Sequence, residues 1–254
     1  WPEAVSAGRR EANRPGDVNT ANIGGAARIG GGVGKGNSGF LDSPKTEQAS
    51  LNRYLDDFCS AAAGAVAAKY LAPKDVRVAG VIGTGVQARL QMRAAHLVRP
   101  FERLLVFGRN IQKAARCAVD LSDALGIDCE VTTDPADLVV QSQLVVTATS
   151  ARAPVIKAEW LHKGLHITAM GADRTGKTEI DPRALVAASL YVTDRASQCA
   201  VLGELEAALA AGLWPVDRPL VELGDVIFGK VEGRQDAADI TICDLTGAGY
   251  RTLR

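Results

Sequence analysis

The stretch "VRVAGVIGTGVQARLQ", residues 76–91, decides the fold. Its opening VRVAGVI is mostly apolar, the pattern of a strand buried on both faces, and 86–99 carries apolar residues at helical spacing. Between them Gly83, Gly85 and Ala88 stand in the G-x-G-x-x-G/A spacing, directly after the strand and opening the helix. Gly83 permits a tight turn, Gly85 lets backbone amides approach a pyrophosphate, and Ala88 allows close packing of helix on strand. The positive end of the helix dipole then faces the anion. The segment reads as a dinucleotide cradle.

Downstream the same alternation repeats. Strands are expected at 103–108, 129–133, 142–149, 165–170 and 189–194, with helices at 110–126, 134–141 and 181–188. Strands joined by helices make a parallel sheet covered on both faces, so the expected class is α/β, a Rossmann-type doubly wound parallel sheet. Upstream, residues 1–53 concentrate glycine, as in NIGGAARIGGGVGKGNSG, and support no firm assignment. SAAAGAVAAKYLA (60–72) is an alanine-rich helix ending near Pro73. Beyond Arg195, 198–214 and 221–231 look helical, and 238–249 looks like a last strand and turn.

At 254 residues, 47% of them hydrophobic, the chain can bury a core of enzyme size. Lys plus Arg balance Asp plus Glu at 29 each, so no global field draws it to nucleic acid or anionic lipid, and aromatics at 5% leave no stacking series for bases. No apolar run reaches the roughly 18 residues of a membrane span, and the N-terminus lacks the order of a signal peptide. The expectation is a cytoplasmic protein without nucleic-acid or membrane partners. Five cysteines (59, 117, 129, 199, 243), never spaced as CxxC, read as buried small hydrophobes, and three dispersed histidines (96, 162, 166) give no metal site. Trp160 and Trp214 read as core or interface anchors, and Glu204 and Glu206 as solvated residues of a helix.

An acid about 20 residues after the cradle would hold the ribose hydroxyls of NAD. The second strand ends in VFGRN instead, where Gly108 removes that carboxylate and Arg109 offers a guanidinium suited to the 2′-phosphate of NADP, or is a solvated surface charge. In such sheets ligands sit beyond the carboxyl ends of the strands. Asp173 follows LHITAM at that edge, and Thr147 and Thr149 reach it from SQLVVTAT, so both threonines should border the nicotinamide. A carboxyl group walled by Met170, Ala172 and the cofactor would be poorly solvated, which suits it to trade protons near neutral pH. It could equally cap the next turn, and the residues alone leave both roles open.

Taken together, GVIGTGVQARLQ, LVVTATSARAPV, GADRTGKTEID, DRASQCAVLGEL and ELGDVIFGK…GRQDAADITICDLTGAG resemble the ornithine cyclodeaminase/mu-crystallin family over about residues 54–250. The resemblance implies a Rossmann domain (71–200) and a smaller substrate and dimerisation domain formed from the chain ends (1–70 and 201–254), assembled as a homodimer, with chemistry on small α-amino or α-imino acids. It places Val86 and Gln87 on the cofactor phosphates, Thr147 and Ile167, Thr168, Ala169 and Met170 along the cofactor, and Lys177 in contact with it. Asp173 falls on the catalytic acid, and Leu245 and Thr246 on the loop near nicotinamide and substrate. Within the family, SQCAVLGELEAALAAGLW looks most like the branch of ectoine-utilisation cyclodeaminase-like proteins and iminosuccinate reductase. The reductase chemistry converts an imine to an amino acid while Asp173 supplies or relays a proton. The cyclodeaminase chemistry oxidises the α-carbon, closes the imine on a side-chain amine with loss of ammonia, and regenerates the cofactor each turn.

The resemblance also has gaps. A substrate carboxylate needs fixed cations. GKGNSGFLDSPK resembles the lysine-bearing segment and places Lys35 in that role, although a glycine-rich stretch could leave it solvated. YLDDFCSAAAGAVAA resembles the segment that carries the partner arginine, but Cys59 stands there, and a thiol cannot donate a charged bidentate pair. A nucleophilic role for Cys59 finds no histidine nearby in sequence to activate it. The family's hairpin between SLNR and YLDDF and its further helix after the position of Arg254 are missing from this sequence. A non-catalytic, mu-crystallin-like dinucleotide-binding protein is therefore the competing expectation.

Overall fold

Eight strands form one sheet in a computed structural model that describes residues 44–247. They are β1 (Val78–Ile82), β2 (Arg103–Phe107), β3 (Asp128–Val131), β4 (Leu144–Thr147), β5 (His166–Ala169), β6 (Leu190–Thr193), β7 (Val221–Glu222) and β8 (Thr241–Asp244). Their order is β3-β2-β1-β4-β5-β8-β6-β7, every pair parallel. Period-two alternation splits the strands between two cores: Ile82, Leu105, Val145 and Ile167 face one, and Val81, Leu104, Val106, Leu144 and Val146 the other. Burial on both sides is why these strands read as continuous apolar runs rather than as alternating ones. The Rossmann-type α/β class expected from the sequence is the one observed.

The helices are α1 (Pro44–Leu71), α2 (Val86–Val98), α3 (Ile111–Leu125), α4 (Pro135–Gln141), α5 (Pro182–Ala187), α6 (Ala196–Leu202), α7 (Glu204–Ala210) and α8 (Leu223–Ile227). Their starts are written locally. Asn110 Oδ1 accepts from Lys113 N at 2.9 Å, and Asp134 and Asp181 cap α4 and α5 with a proline in the first turn. α1 lies so close to α2 that a Cβ on Gly64 would stand 1.8 Å from Gln91 Oε1. Its last carbonyls are tied down, with Leu71 O accepting from Arg234 Nε at 2.7 Å and from Thr241 Oγ1 at 2.9 Å.

Three expectations change. The helix read over 198–214 is two helices broken at Gly203, because the chain there passes so close to Asp244 that a Cβ would lie 2.4 Å from its Oδ2. The helix read over 221–231 is mostly not helical. Val221 and Glu222 pair with Val192 and Thr193 as β7, filling the open edge of β6, and the helix that follows covers only α8. Cys59 is exposed and Cys129 half-buried, so only Cys117, Cys199 and Cys243 behave as core hydrophobes. Trp160 and Trp214 pack against the core, Trp214 edge-on to Tyr191 at 5.2 Å.

β8 comes from the end of the described chain yet lies between β5 and β6, so the sheet draws strands from both sides of residue 200. It buries Asp244, whose Oδ2 accepts from Tyr191 OH at 2.6 Å and from Leu205 N at 3.3 Å, while Oδ1 has no partner among the described residues. Burial raises this carboxyl to about 7. An unfolded aspartate ionises near pH ~4, so between about 4 and 7 the unfolded state binds fewer protons and stability falls as pH rises. The melting temperature of Asp244→Asn minus that of the parent chain is expected to climb from pH 4 to pH 7 and then level. A difference independent of pH would contradict this assignment.

Candidate active site at the carboxyl rim

Gly83 closes the turn after β1 with φ 131°, and its amide donates to Phe107 O at 2.9 Å. A Cβ there would stand 2.4 Å from the carbonyl oxygen of Ala148, so both conformation and space require glycine. Gly85 is a different case. Its backbone is extended, and nothing lies within 4 Å of where a Cβ would be. It precedes α2 without a side-chain cap, which leaves the first amides of the helix for a ligand. Ala88 is fully buried beneath α2. An open approach, uncapped amides and a helix dipole fit a dinucleotide pyrophosphate.

The strand order reverses between β1 and β4, and the loops leaving them part on opposite sides. A cavity of about 610 Å³ opens there, between the cradle, the end of β2 and the loop 148–155. Arg109, Lys113 and Arg152 line it, no carboxylate does, and none of the three cations makes an ion pair among the described residues. Gly108 lies against Thr84, where a Cβ would be 2.5 Å from the methyl group, so the cradle itself favours a small residue at that point. The sequence reading found Arg109 but not Lys113, one helical turn further along α3, or Arg152 on a distant loop.

The other singled-out residues take distinct places. Val86 is exposed at the start of α2, whereas Gln87 reaches back to α1, its Nε2 donating to Asp57 Oδ1 at 2.8 Å. Thr147 is buried, with its hydroxyl turned to Glu179 Oε2 at 2.7 Å, and Thr149 lines the cavity. Ile167 and Ala169 pack into the core below the rim. The hydroxyl of Thr168 meets His166 Nε2 at 3.0 Å, and that ring also meets Thr241 Oγ1 at 2.9 Å. Burial lowers His166 to about 3, so it cross-links strands as a neutral ring. Met170 is half-buried at the rim. Leu245 N donates to Ala169 O at 2.9 Å, and Thr246 bonds Asp194 through its amide at 2.9 Å and its hydroxyl at 3.1 Å. Lys35 lies outside the described residues.

Asp173 lies at the rim as an ion-paired residue. Its side chain is 36% exposed, and Lys177 Nζ meets Oδ1 at 2.6 Å while Arg174 stands 4.0 Å from Oδ2. Gly171 and Ala172 before it are buried, and Arg174, Thr175 and Gly176 after it are exposed. Glu204 is a further correction: it is wholly buried, accepting from Thr178 Oγ1 and Glu179 N, both at 2.8 Å, and from Ile180 N at 3.0 Å. The break at Gly203 turns it inward, while Glu206 remains partly exposed. Glu179 is buried too, and in both glutamates burial pushes the carboxyl up.

The sequence pattern of the ornithine cyclodeaminase/mu-crystallin family matches residues 51–250. A putative dehydrogenase of Rhizobium meliloti is 46% identical over 200 residues, covering 79% of this chain and 60% of its own. The structure of the iminosuccinate reductase of Paracoccus denitrificans in complex with NAD+ superposes with a TM-score of 0.71 at 37% identity, over 77% of this chain and 59% of that one. That of Thermococcus litoralis Δ1-pyrroline-2-carboxylate reductase with NADH and L-proline gives 0.71 at 32%, over 74% and 58%. The chain thus spans about six tenths of the length of these relatives.

The two cradle glycines should separate in a stability measurement. Gly83→Ala is expected to lower the unfolding free energy of the ligand-free chain by about 1–3 kcal/mol, the order of cost for a side chain forced into a sparsely populated backbone region. Gly85→Ala, extended and facing open space, should cost under ~1 kcal/mol. Urea titration distinguishes them, and equal losses would contradict the assigned roles.

Proposed function

Because the chain belongs to the ornithine cyclodeaminase/mu-crystallin family, we propose that it is a nicotinamide-dependent enzyme acting at the α-carbon of a small amino or imino acid, in the manner of an imine reductase. The observation that carries this reading is the presence of Asp173 and Lys177 on the same strand rim as the glycine cradle, with Leu245, after β8, bonded to the end of β5 on that rim. The cofactor, when bound, gives or takes the electron pair exchanged with the substrate. The protein's own part is proton handling and orientation. Lys177 fixes one oxygen of Asp173, and the half-exposed carboxyl can exchange a proton with both substrate and water. Thr246, locked on Asp194, gives the neighbouring loop a fixed geometry on the substrate side.

The cofactor is NADP(H) in this proposal. Three cations without ion-pair partners among the described residues, and no carboxylate among the cavity's lining residues, suit a 2′-phosphate better than a bare ribose diol. The reading includes a homodimer, for which Tyr54, Leu55 and Phe58, left exposed on α1, offer apolar surface. It also includes Lys35 as a cation for the substrate carboxylate. One observation favours a second reading, a dinucleotide-binding protein without turnover: Cys59, at the position of the resemblance's arginine, is exposed on α1 and supplies no charge.

Asp173→Asn should lower turnover of 2-imino acids, formed in solution from 2-oxo acids and ammonia, by about 100-fold or more, with the dissociation constant for the cofactor nearly unchanged. A parent chain that binds cofactor tightly but turns over none of a panel of imino acids and diamines would support the second reading instead. Arg109→Ala and Lys113→Ala should each weaken NADPH binding by about 5- to 10-fold at low salt and leave NADH almost untouched, because only the 2′-phosphate loses a partner. Equal losses for both cofactors would exclude the 2′-phosphate role.

A further inference from the structure

Glu179 is wholly buried, yet it touches two rim loops at once. Its Oε2 accepts from Thr147 Oγ1 and from Gly171 N, both at 2.7 Å, and its Oε1 accepts from Thr149 N at 2.6 Å. The backbone of the same residue extends the clamp, since its carbonyl accepts from Val155 N at 2.7 Å and Ile156 N at 3.0 Å. Thr149 and Val155 are wall residues of the cavity, and Gly171 lies two positions before Asp173. Glu179 is in turn held from behind, because Glu204 on α7 takes the amides of Glu179 and Ile180 and the hydroxyl of Thr178.

The packing leaves little room for another arrangement. A Cβ on Gly171 would stand 2.4 Å from Glu179 Cδ and 2.4 Å from Thr149 O, so the two loops meet at van der Waals limits around this carboxyl group. The loop 171–179 is closed at its base by Gly171 on Glu179 and further out by Lys177 on Asp173. Three donors converge on two oxygens, so a carboxylate satisfies them all. A glutamine cannot, because its amide nitrogen would face the backbone N–H of either Thr149 or Gly171, donor against donor.

We propose that Glu179 is the positioning residue of this site: by binding Thr147, Thr149 and Gly171 together it fixes the Asp173 loop against the cavity wall, without touching substrate itself. The proposal rests on the reading of Asp173 as the acid/base. A displacement of about 1 Å in a reacting group costs on the order of 100-fold in rate. Releasing the clamp should therefore act on turnover more than on binding.

The test uses Glu179→Gln in the full chain, with Thr147→Val as a milder variant that removes one neutral donor. Two measurements are made. Hydrogen–deuterium exchange of the cofactor-loaded protein should rise in peptides covering 147–155 and 170–176 and stay unchanged in β2 and α3, more strongly for Glu179→Gln than for Thr147→Val. In steady-state kinetics kcat should fall about 10- to 100-fold with KM values changed less than about threefold, and the loss should largely vanish in an Asp173→Asn background, because both changes act through one group. Unchanged exchange in both segments overturns the proposal, and so does a kcat loss that multiplies fully with that of Asp173→Asn. If the parent chain shows no turnover, the enzymatic reading fails, and exchange alone still decides whether Glu179 clamps the two loops.

Discussion

The site depends on the reversal of strand order between β1 and β4. Two parallel strands that are neighbours in the sheet but not in sequence send their following segments to opposite faces, so the backbone above them separates. The gap is kept narrow by contact, with Gly83 against the Ala148 carbonyl, and on one side it meets the start of α2, which has no side-chain cap. Cradle and cavity both follow from that arrangement. Arg109 and Lys113 reach the cavity because α3 starts where β2 ends, and Arg152 because the loop after β4 folds over the other wall.

Behind the rim lies a second constraint of a different kind. Glu179, Glu204 and Asp244 bury three carboxyl groups near one another, a costly placement that is tolerated because each receives hydrogen bonds from backbone amides or hydroxyls. Desolvation raises all three carboxyls, pushing Asp244 up to about 7. The outer pair, Asp173 and Lys177, differs: Asp173 is partly exposed, and the two meet at 2.6 Å. Rigid buried acids thus lie behind a solvent-reachable one, a division suited to the proton-exchanging role proposed for Asp173.

Much of this was legible because it is local. The apolar run before Gly83 and the spacing of Gly83, Gly85 and Ala88 specify strand, turn and helix within 16 residues, and Asn110, Asp134 and Asp181 mark helix starts by chemistry that acts over two or three positions. Residues whose role depends on a distant partner were not legible. Glu204 follows a glycine in a helix-like pattern and reads as solvated, and only the approach of β8, forty residues later, shows why the helix breaks there and turns the carboxyl inward. Val221 and Glu222 read as helix because nothing nearby tells of the open edge of β6.

The sequence by itself determined the parallel α/β class, the phosphate cradle and the presence of an aspartate at the strand rim, since each is encoded by periodicity or by backbone freedom at fixed spacing. Tertiary structure alone decided that β8 inserts between β5 and β6, that Asp173 is paired with Lys177, and that Glu179 joins Thr149 to Gly171, 22 positions apart in the chain. The physical reason is that burial and hydrogen-bond partnership are properties of the space a residue shares with segments far along the chain, and no local pattern records that space.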